Sequence, residues 1–264
     1  MAKKKLTLEE KKEKVREFRP IDDTFFEVLA TKAVCQELLR TVLNDEKLIV
    51  EDVITQSSEK NLYGRSVRLD ALCILGTGEE CNIEIQRSDN DDHLRRVRMN
   101  ASSITVRDSQ KGTKFKEIPD LIVVYISEFD LFEDGKTLYH VDSVVRETKE
   151  KVDDGLYRVF VNTEAKDGTK VSRLMSHFTE KTVKDAEFPE LTARMHELKE
   201  KEGGLTAMCD VMEKYEKIAA DKATAEANQK AIRILLNLGA TKDQILSEYT
   251  EEEYENVIND IAQN

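Results

Sequence analysis

Apolar residues change their spacing several times along the chain, and each change predicts an element. Phe26, Leu29, Ala33, Leu38 and Val42 recur at close to helical spacing behind Asp22-Asp23, so one helix is expected from about Asp22 to Leu43, capped by an acid. Runs rich in β-branched and apolar residues follow at Leu48–Thr55, Ser66–Leu75 and Cys81–Gln86, separated by Gly and charged turns, and these predict a β-meander. Leu94, Val97, Ala101 and Ile104 then form one apolar stripe on an otherwise cationic helix from about Asp91 to Arg107. Leu121–Ser127 is almost continuously apolar, the pattern of a strand buried on both faces, and Tyr139–Val145 and Tyr157–Val161 predict two more strands.

From about Asp167 the strand pattern stops. Helices are expected near Val171–Phe178, Pro189–Lys199, Thr206–Ala220, Ala223–Leu238 and Glu251–Ile261, with Gly239 as a C-terminal cap and Thr241 opening a short helix. The fold class is therefore α/β: a mixed β-sheet core flanked by helices, with an all-helical C-terminal region. Three segments are expected, namely a charged, solvated leader (1–17), a core domain (18–165) and the helical region (166–264).

Composition narrows the function classes. No apolar run in the 264 residues approaches the ~20 that cross a bilayer, and the Lys-rich N-terminus has no apolar stretch behind it, so neither a membrane protein nor a secreted precursor is expected. Cys35, Cys73, Cys81 and Cys209 form no CxxC pair and read as reduced, buried thiols of a cytoplasmic protein. His93, His140, His177 and His196 are equally scattered, which argues against zinc. The net charge of -12 counts against nucleic acid as a partner, but it is unevenly spread. Arg95, Arg96, Arg98, Arg107, Lys111, Lys114 and Lys116 face a single acid, Asp108, between His93 and Lys116, whereas acids dominate after Lys201.

Candidate chemistry lies in Arg68-Leu69-Asp70, the turn Gly76-Thr77-Gly78, and Asn82-Ile83-Glu84-Ile85-Gln86. A three-residue loop centred on Thr77 makes opposed residue numbers sum to 154, which sets Asp70 across from Glu84 and Arg68 across from Gln86. Opposed residues share a face with Cβ atoms roughly 5 Å apart, and like charges so placed repel. A hard divalent cation between the carboxylates would compensate. So would solvent on an exposed sheet face, or Arg68 satisfying both acids. Asp23 and Glu27 read either as helix-start acids or as accessory ligands to a metal or its water shell. The basic helix reads as a phosphate-tracking surface, with Arg95, Arg96, Arg98, Arg107, Lys111 and Lys114 as DNA-contacting residues, or as a solvated amphipathic helix.

The order of Asp23-x-x-Phe26, Arg68-Leu69-Asp70, Asn82-Ile83-Glu84-Ile85-Gln86, Arg96-x-Arg98-Met99-Asn100-Ala101-Ser102, Lys111-Gly112-x-x-Phe115 and Ile122–Ile126 resembles the PD-(D/E)XK nuclease-family transposases, including the recombination-promoting nuclease group, over residues 18–145. The resemblance implies a restriction-endonuclease-like core and a Mg²⁺-dependent DNA endonuclease, with Mn²⁺ as a substitute, in which a metal-activated water hydrolyses a phosphodiester during transposition or recombination. It assigns Asp70, Glu84 and the Ile85 carbonyl to the metal. Gln86 stands where such nucleases usually carry the catalytic Lys and where this subfamily commonly carries Gln; Gln can orient water but supplies no charge, and Arg68 is the expected source of that charge. Glu27 also departs from the family, where Lys often occurs.

The rival expectation is a degraded nuclease fold acting as a DNA-binding or protein-interaction scaffold. In that version the acidic helical region, with Leu235, Leu236, Leu238, Ile245 and Ile258, would mediate oligomerisation or regulation; a homo-oligomer through this region is the expected assembly.

Overall fold

The computed structural model describes residues 7–59, 67–90, 92–109, 111–112 and 114–262. Residues 1–6 of the expected leader, Ser66 and Asp91 lie outside them. The chain divides into two compact units that meet at Cys209/Asp210. This differs from the division expected after residue 165, because the helices that follow the sheet belong to the first unit.

The first unit opens with α1 (Leu8–Glu17), whose N-terminus carries a Thr7/Glu10 capping box. Residues 8–17 are no solvated leader. Val15 is fully buried and Lys11 nearly so, and the Lys199 ammonium donates to the carbonyls of Arg16 at 3.0 Å, Phe18 and Lys181. One valine in a charged run makes no stripe, so the sequence pattern hides this anchor.

The single helix expected from Asp22 to Leu43 is two, α2 (Asp23–Leu29) and α3 (Lys32–Leu43). Ala30 leaves the helical region, and Thr31 caps the second helix by accepting the Val34 N–H.

The strands are β1 (Val50–Glu59), β2 (Val67–Leu75) and β3 (Glu80–Gln86), followed by α4 (His93–Asp108), β4 (Leu121–Ser127), β5 (Leu138–Val141) and β6 (Leu156–Asn162). They form one sheet in the order β1-β2-β3-β4-β6-β5. The first three are the antiparallel meander. Leu75 and Glu79 close a three-residue loop in which Gly78 holds φ +92, and every registered β2–β3 pair, from Ile74↔Glu80 to Ala71↔Ile83, sums to 154. From β3 the chain crosses through α4 to the parallel strand β4, central and apolar as its sequence demands.

Helix α4 covers one face, where Val97, Ala101 and Ile104 pack with Leu69, Val123, Tyr125 and Phe160. Three of the four expected stripe residues are those buried here; the fourth, Leu94, is 49 % exposed, and His93 is buried in its stead. α2 packs on β2 and α3 on β1, with α5 (Lys170–Phe178) and α6 (Pro189–Glu200) behind them. The four thiols are free and buried. Three of them belong to one core neighbourhood, since Cys73 pairs in register with Cys81 and, together with burial, raises the Cys35 thiol.

Helix α7 (Glu202–Asn237) supplies its first residues to the first unit and the rest to the second. It fuses two expected helices, because Asp221 and Lys222 offer no breaker between alanines. The second unit continues with α8 (Lys242–Leu246) and α9 (Glu251–Ala262) around Ile232, Ile245 and Val257. Gly239 at φ +84 closes α7 with the bonds Ala240 N–H to Leu235 and Gly239 N–H to Leu236, and Thr241 caps α8.

The architecture is a mixed six-stranded sheet with flanking helices and a helical C-terminal region, a restriction-endonuclease-like α/β fold. Among the described residues no helix is long and apolar enough to cross a membrane.

Candidate active site

The sheet is interrupted around Asp70. The β2–β3 register ends at Ala71↔Ile83, and continuing it by one residue sets Asp70 against Glu84. On the other side, the β1–β2 register passes from Thr55↔Ala71 to Ser57↔Leu69 across Gln56, which holds the left-handed φ of +55. A non-glycine residue in that region stores strain, and such strain clusters at working sites.

The buried Asp70 carboxylate fills the gap by accepting the Ile85 backbone N–H at 3.0 Å. Successive residues of a strand aim their backbone groups at alternate neighbours. The Gln86 carbonyl accepts the Glu128 N–H on the β4 side, so the Ile85 carbonyl faces the gap beside Asp70.

Glu84 is completely buried. Its Oε1 accepts from Asn82 Nδ2 at 3.0 Å, whereas its Oε2 has no hydrogen-bond partner and lies 3.9 Å from the Arg96 guanidinium. Burial raises both carboxyls, Asp70 to about 6 and Glu84 to about 8, and Asp70 pushes Glu84 up further. A buried acceptor without a donor is costly unless something electropositive meets it.

Asp23 begins α2 and lines the groove outside this pair. Loss of water raises its carboxyl, with Arg96 and Arg87 opposing the rise, even though one side of the residue stays exposed. Glu27 is half-buried one turn along α2 and is not among the groove's lining residues.

The charge beside Gln86 comes from a residue other than the expected one. Arg68 donates to Gln56 of β1, whose left-handed backbone sits in the neighbouring strand. Gln86 instead accepts from Arg96 of α4 at 2.6 Å and donates to the Ser88 carbonyl at 2.7 Å. α4 is fixed at this end by Asp92, which caps it, and by His93, whose ring bonds the Tyr125 hydroxyl at 2.8 Å and Asp89 at 3.0 Å. No local pattern shows Arg96 entering the site, because that depends on where α4 crosses the sheet.

Asp23, Gln86 and Arg96 line a polar groove of about 660 Å³ together with Asp22, Arg87 and Glu128, among others, while Asp70 and Glu84 are buried and are not among its lining residues. Arg19 and Arg87 alternate with Asp22 and Glu128 there, with ion pairs of 2.6 to 3.4 Å that sequence reading did not anticipate. A more apolar groove of about 610 Å³ at the Gly76 turn contains none of the site residues.

Of the expected DNA-contacting residues, Arg95 and Arg98 are exposed on α4, and Lys111 and Lys114 on the segment after it. Arg95 pairs with Asp92. Arg107 is partly buried and paired with Glu80 and Asp108. Phe115, 92 % exposed between Lys114 and Lys116, adds an aromatic to this basic surface that the sequence pattern did not single out.

A family model for PD-(D/E)XK nuclease family transposases matches residues 24–233. The chain belongs to that family. The match spans the sheet, the Asp70/Glu84 pair, α4 and most of α7. Family membership brings a nuclease-type, transposition-related function with DNA as substrate class, and divalent metals serve its nucleases generally. No curated protein and no solved structure matches the chain.

The donor set at the gap suits a hard cation. Asp70, Glu84 and the Ile85 carbonyl offer only oxygen, and Glu84 Oε2 is a buried acceptor with nothing donating to it. Among the described residues no group of three or more His, Cys, Asp or Glu side chains is placed to hold a metal.

Proposed function

We propose that the chain is a Mg²⁺-dependent DNA endonuclease, with Mn²⁺ as a substitute, that hydrolyses a phosphodiester during transposition or recombination of mobile elements. The observation that carries this reading is the buried Asp70/Glu84 pair with the orphaned Glu84 oxygen, next to Gln86 and Arg96, which line a polar groove. Asp70, Glu84 and the Ile85 carbonyl would hold the cation. When bound, it supplies Lewis-acid polarisation of a phosphate oxygen and lowers the pKa of a water.

The protein's own groups do the remaining work. Asn82 fixes the rotamer of Glu84, and the Ile85 N–H fixes Asp70, so neither carboxylate must reorganise during the reaction. In the hydrolysis, the water oxygen bonds to phosphorus, the ester P–O bond breaks, and the departing sugar oxygen takes a proton. Arg95, Arg98, Lys111 and Lys114 lie on a surface that would follow the DNA backbone without reading bases.

The scaffold alternative draws on Gln86, whose amide carries no charge and is already bonded at both ends, to Arg96 and to the Ser88 carbonyl. Nicking of supercoiled plasmid in Mg²⁺ or Mn²⁺, lost in Asp70→Asn, supports the endonuclease; no nicking in either metal supports the scaffold. A homo-oligomer through the helical region would show as a mass above 30.3 kDa in solution.

A further inference from the structure

We propose that Arg96 is the catalytic cation of this site, donating to the scissile phosphate, and that Gln86 is the positioning residue that holds it. The proposal rests on the endonuclease reading above and reverses the roles that the strand motif alone suggests.

Gln86 is held at both ends of its amide: Oε1 accepts from Arg96 at 2.6 Å, and Nε2 donates to Ser88 at 2.7 Å. One end of the amide is thus tied to the backbone at the strand exit while the other grips a guanidinium. That is the arrangement of a bracket.

Arg96 has what the bracketed amide lacks. Its side chain is 37 % exposed and lines the groove, and a second guanidinium nitrogen lies 3.9 Å from the orphaned Glu84 oxygen. A guanidinium has five N–H donors in a rigid fork matched to phosphate oxygens, and Gln86 uses one of them at hydrogen-bond distance. Its charge favours the ionised forms of Asp23, Asp70 and Glu84 alike, which places it at the electrostatic centre of the site.

The position is also rigid. Asp92 caps the helix four residues earlier, His93 locks the first turn onto Tyr125, and Val97 is buried directly after Arg96. A donor held in advance at the place where phosphate charge develops contributes more than one that must be ordered during the reaction. Arg68 offers no equivalent, because its guanidinium is turned to Gln56 on β1.

The test is a double-mutant cycle on single-turnover plasmid nicking with Arg96→Ala, Gln86→Ala and the double variant, alongside Asp70→Asn. Circular dichroism melts would verify folding, and DNA affinity would be measured in Ca²⁺. Arg96→Ala is expected to slow cleavage about 100-fold or more, the scale of one lost preorganised donor, with the DNA dissociation constant within about threefold of wild type. The double variant should cut no more slowly than Arg96→Ala alone, since a bracket with nothing to hold has no further effect. Arg96→Ala combined with Gln86→Lys should regain at least tenfold over Arg96→Ala, because a lysine restores charge from the strand.

Multiplying effects in the double variant would overturn the bracket, and cleavage at the wild-type rate by Arg96→Ala, with Asp70→Asn inactive, would overturn the proposal while leaving the endonuclease standing. A rate loss in Arg96→Ala fully matched by weaker DNA binding would reduce Arg96 to a backbone contact and overturn it too. A wild-type protein that cuts in neither metal would overturn both readings.

Discussion

Asp70 Oδ2 accepts the backbone N–H of Ile85 at 3.0 Å, one residue beyond the last registered pair of the β2–β3 ladder. A side chain here does what a strand backbone does elsewhere. The bond therefore fixes the carboxylate beside Glu84 and leaves the Ile85 carbonyl facing the same gap. This one relationship sets a second buried carboxylate beside Glu84, and each disfavours ionisation of the pair.

Metal-free protein should lose stability as pH rises. The folded-state carboxyls of Asp70 and Glu84 stand at about 6 and about 8, above their ordinary values near 4, mainly through burial. The folded state therefore binds more protons than the unfolded one, and the stabilisation present below about pH 4 is lost progressively up to about pH 8. Urea melts in EDTA should show this slope, and Glu84→Gln should flatten its upper half. A flat profile in the wild type would mean the pair is solvated.

Metal binding should release protons at pH 7, because the raised carboxyls must ionise to become ligands. Mn²⁺ titration in buffers of different ionisation enthalpy should reveal this, and Asp70→Asn should weaken affinity about tenfold or more. Equal affinities in wild type and Asp70→Asn would take Asp70 off the ligand set.

The basic surface should divide by function. Replacing Arg95 and Arg98 with Ala should lower the slope of log K against log salt by about one for each lost phosphate contact. Arg107→Ala should leave that slope unchanged and instead cost about 1–2 kcal/mol of stability, because it strands the mostly buried Glu80. A slope change on losing Arg107, measured by fluorescence anisotropy, would keep it in the DNA-contacting set.

The N-terminal helix should matter to the fold. Val15→Ala should cost about 1–2 kcal/mol, since it empties a fully buried position. Lys199→Met should also destabilise, because three carbonyls lose their donor. Thermal melts that match wild type for both would make α1 dispensable.

The hairpin and its register were readable because they are local: Gly76-Thr77-Gly78 fixes the loop, and the loop fixes which residues face each other. The order of the elements and the central strand were readable from period alone. Arg96 was not, since its reach to Gln86 depends on how α4 rotates over the sheet. A polar contact, His93 to Tyr125, sets that rotation, while Leu94, apolar and on the expected stripe, is left half-exposed. Arg68 misled for the opposite reason. Extending an ideal ladder places it against Gln86, but the ladder stops at Ala71 and the kink at Gln56 draws the guanidinium to β1. Val15 shows a third limit, because a buried residue on a charged helix leaves no periodic trace.

The central claim is that the buried Asp70/Glu84 pair is a metal-dependent nuclease centre. Its most direct test compares nicking of supercoiled plasmid by wild type and Asp70→Asn at equal concentrations, with EDTA, Mg²⁺ or Mn²⁺ in parallel, each metal at about tenfold its measured dissociation constant or above, where roughly nine-tenths of a single site is filled. Nicking by wild type in metal but not in EDTA, absent in a folded Asp70→Asn, is the predicted result. Equal nicking by both proteins, or none by wild type in either metal, would contradict the claim.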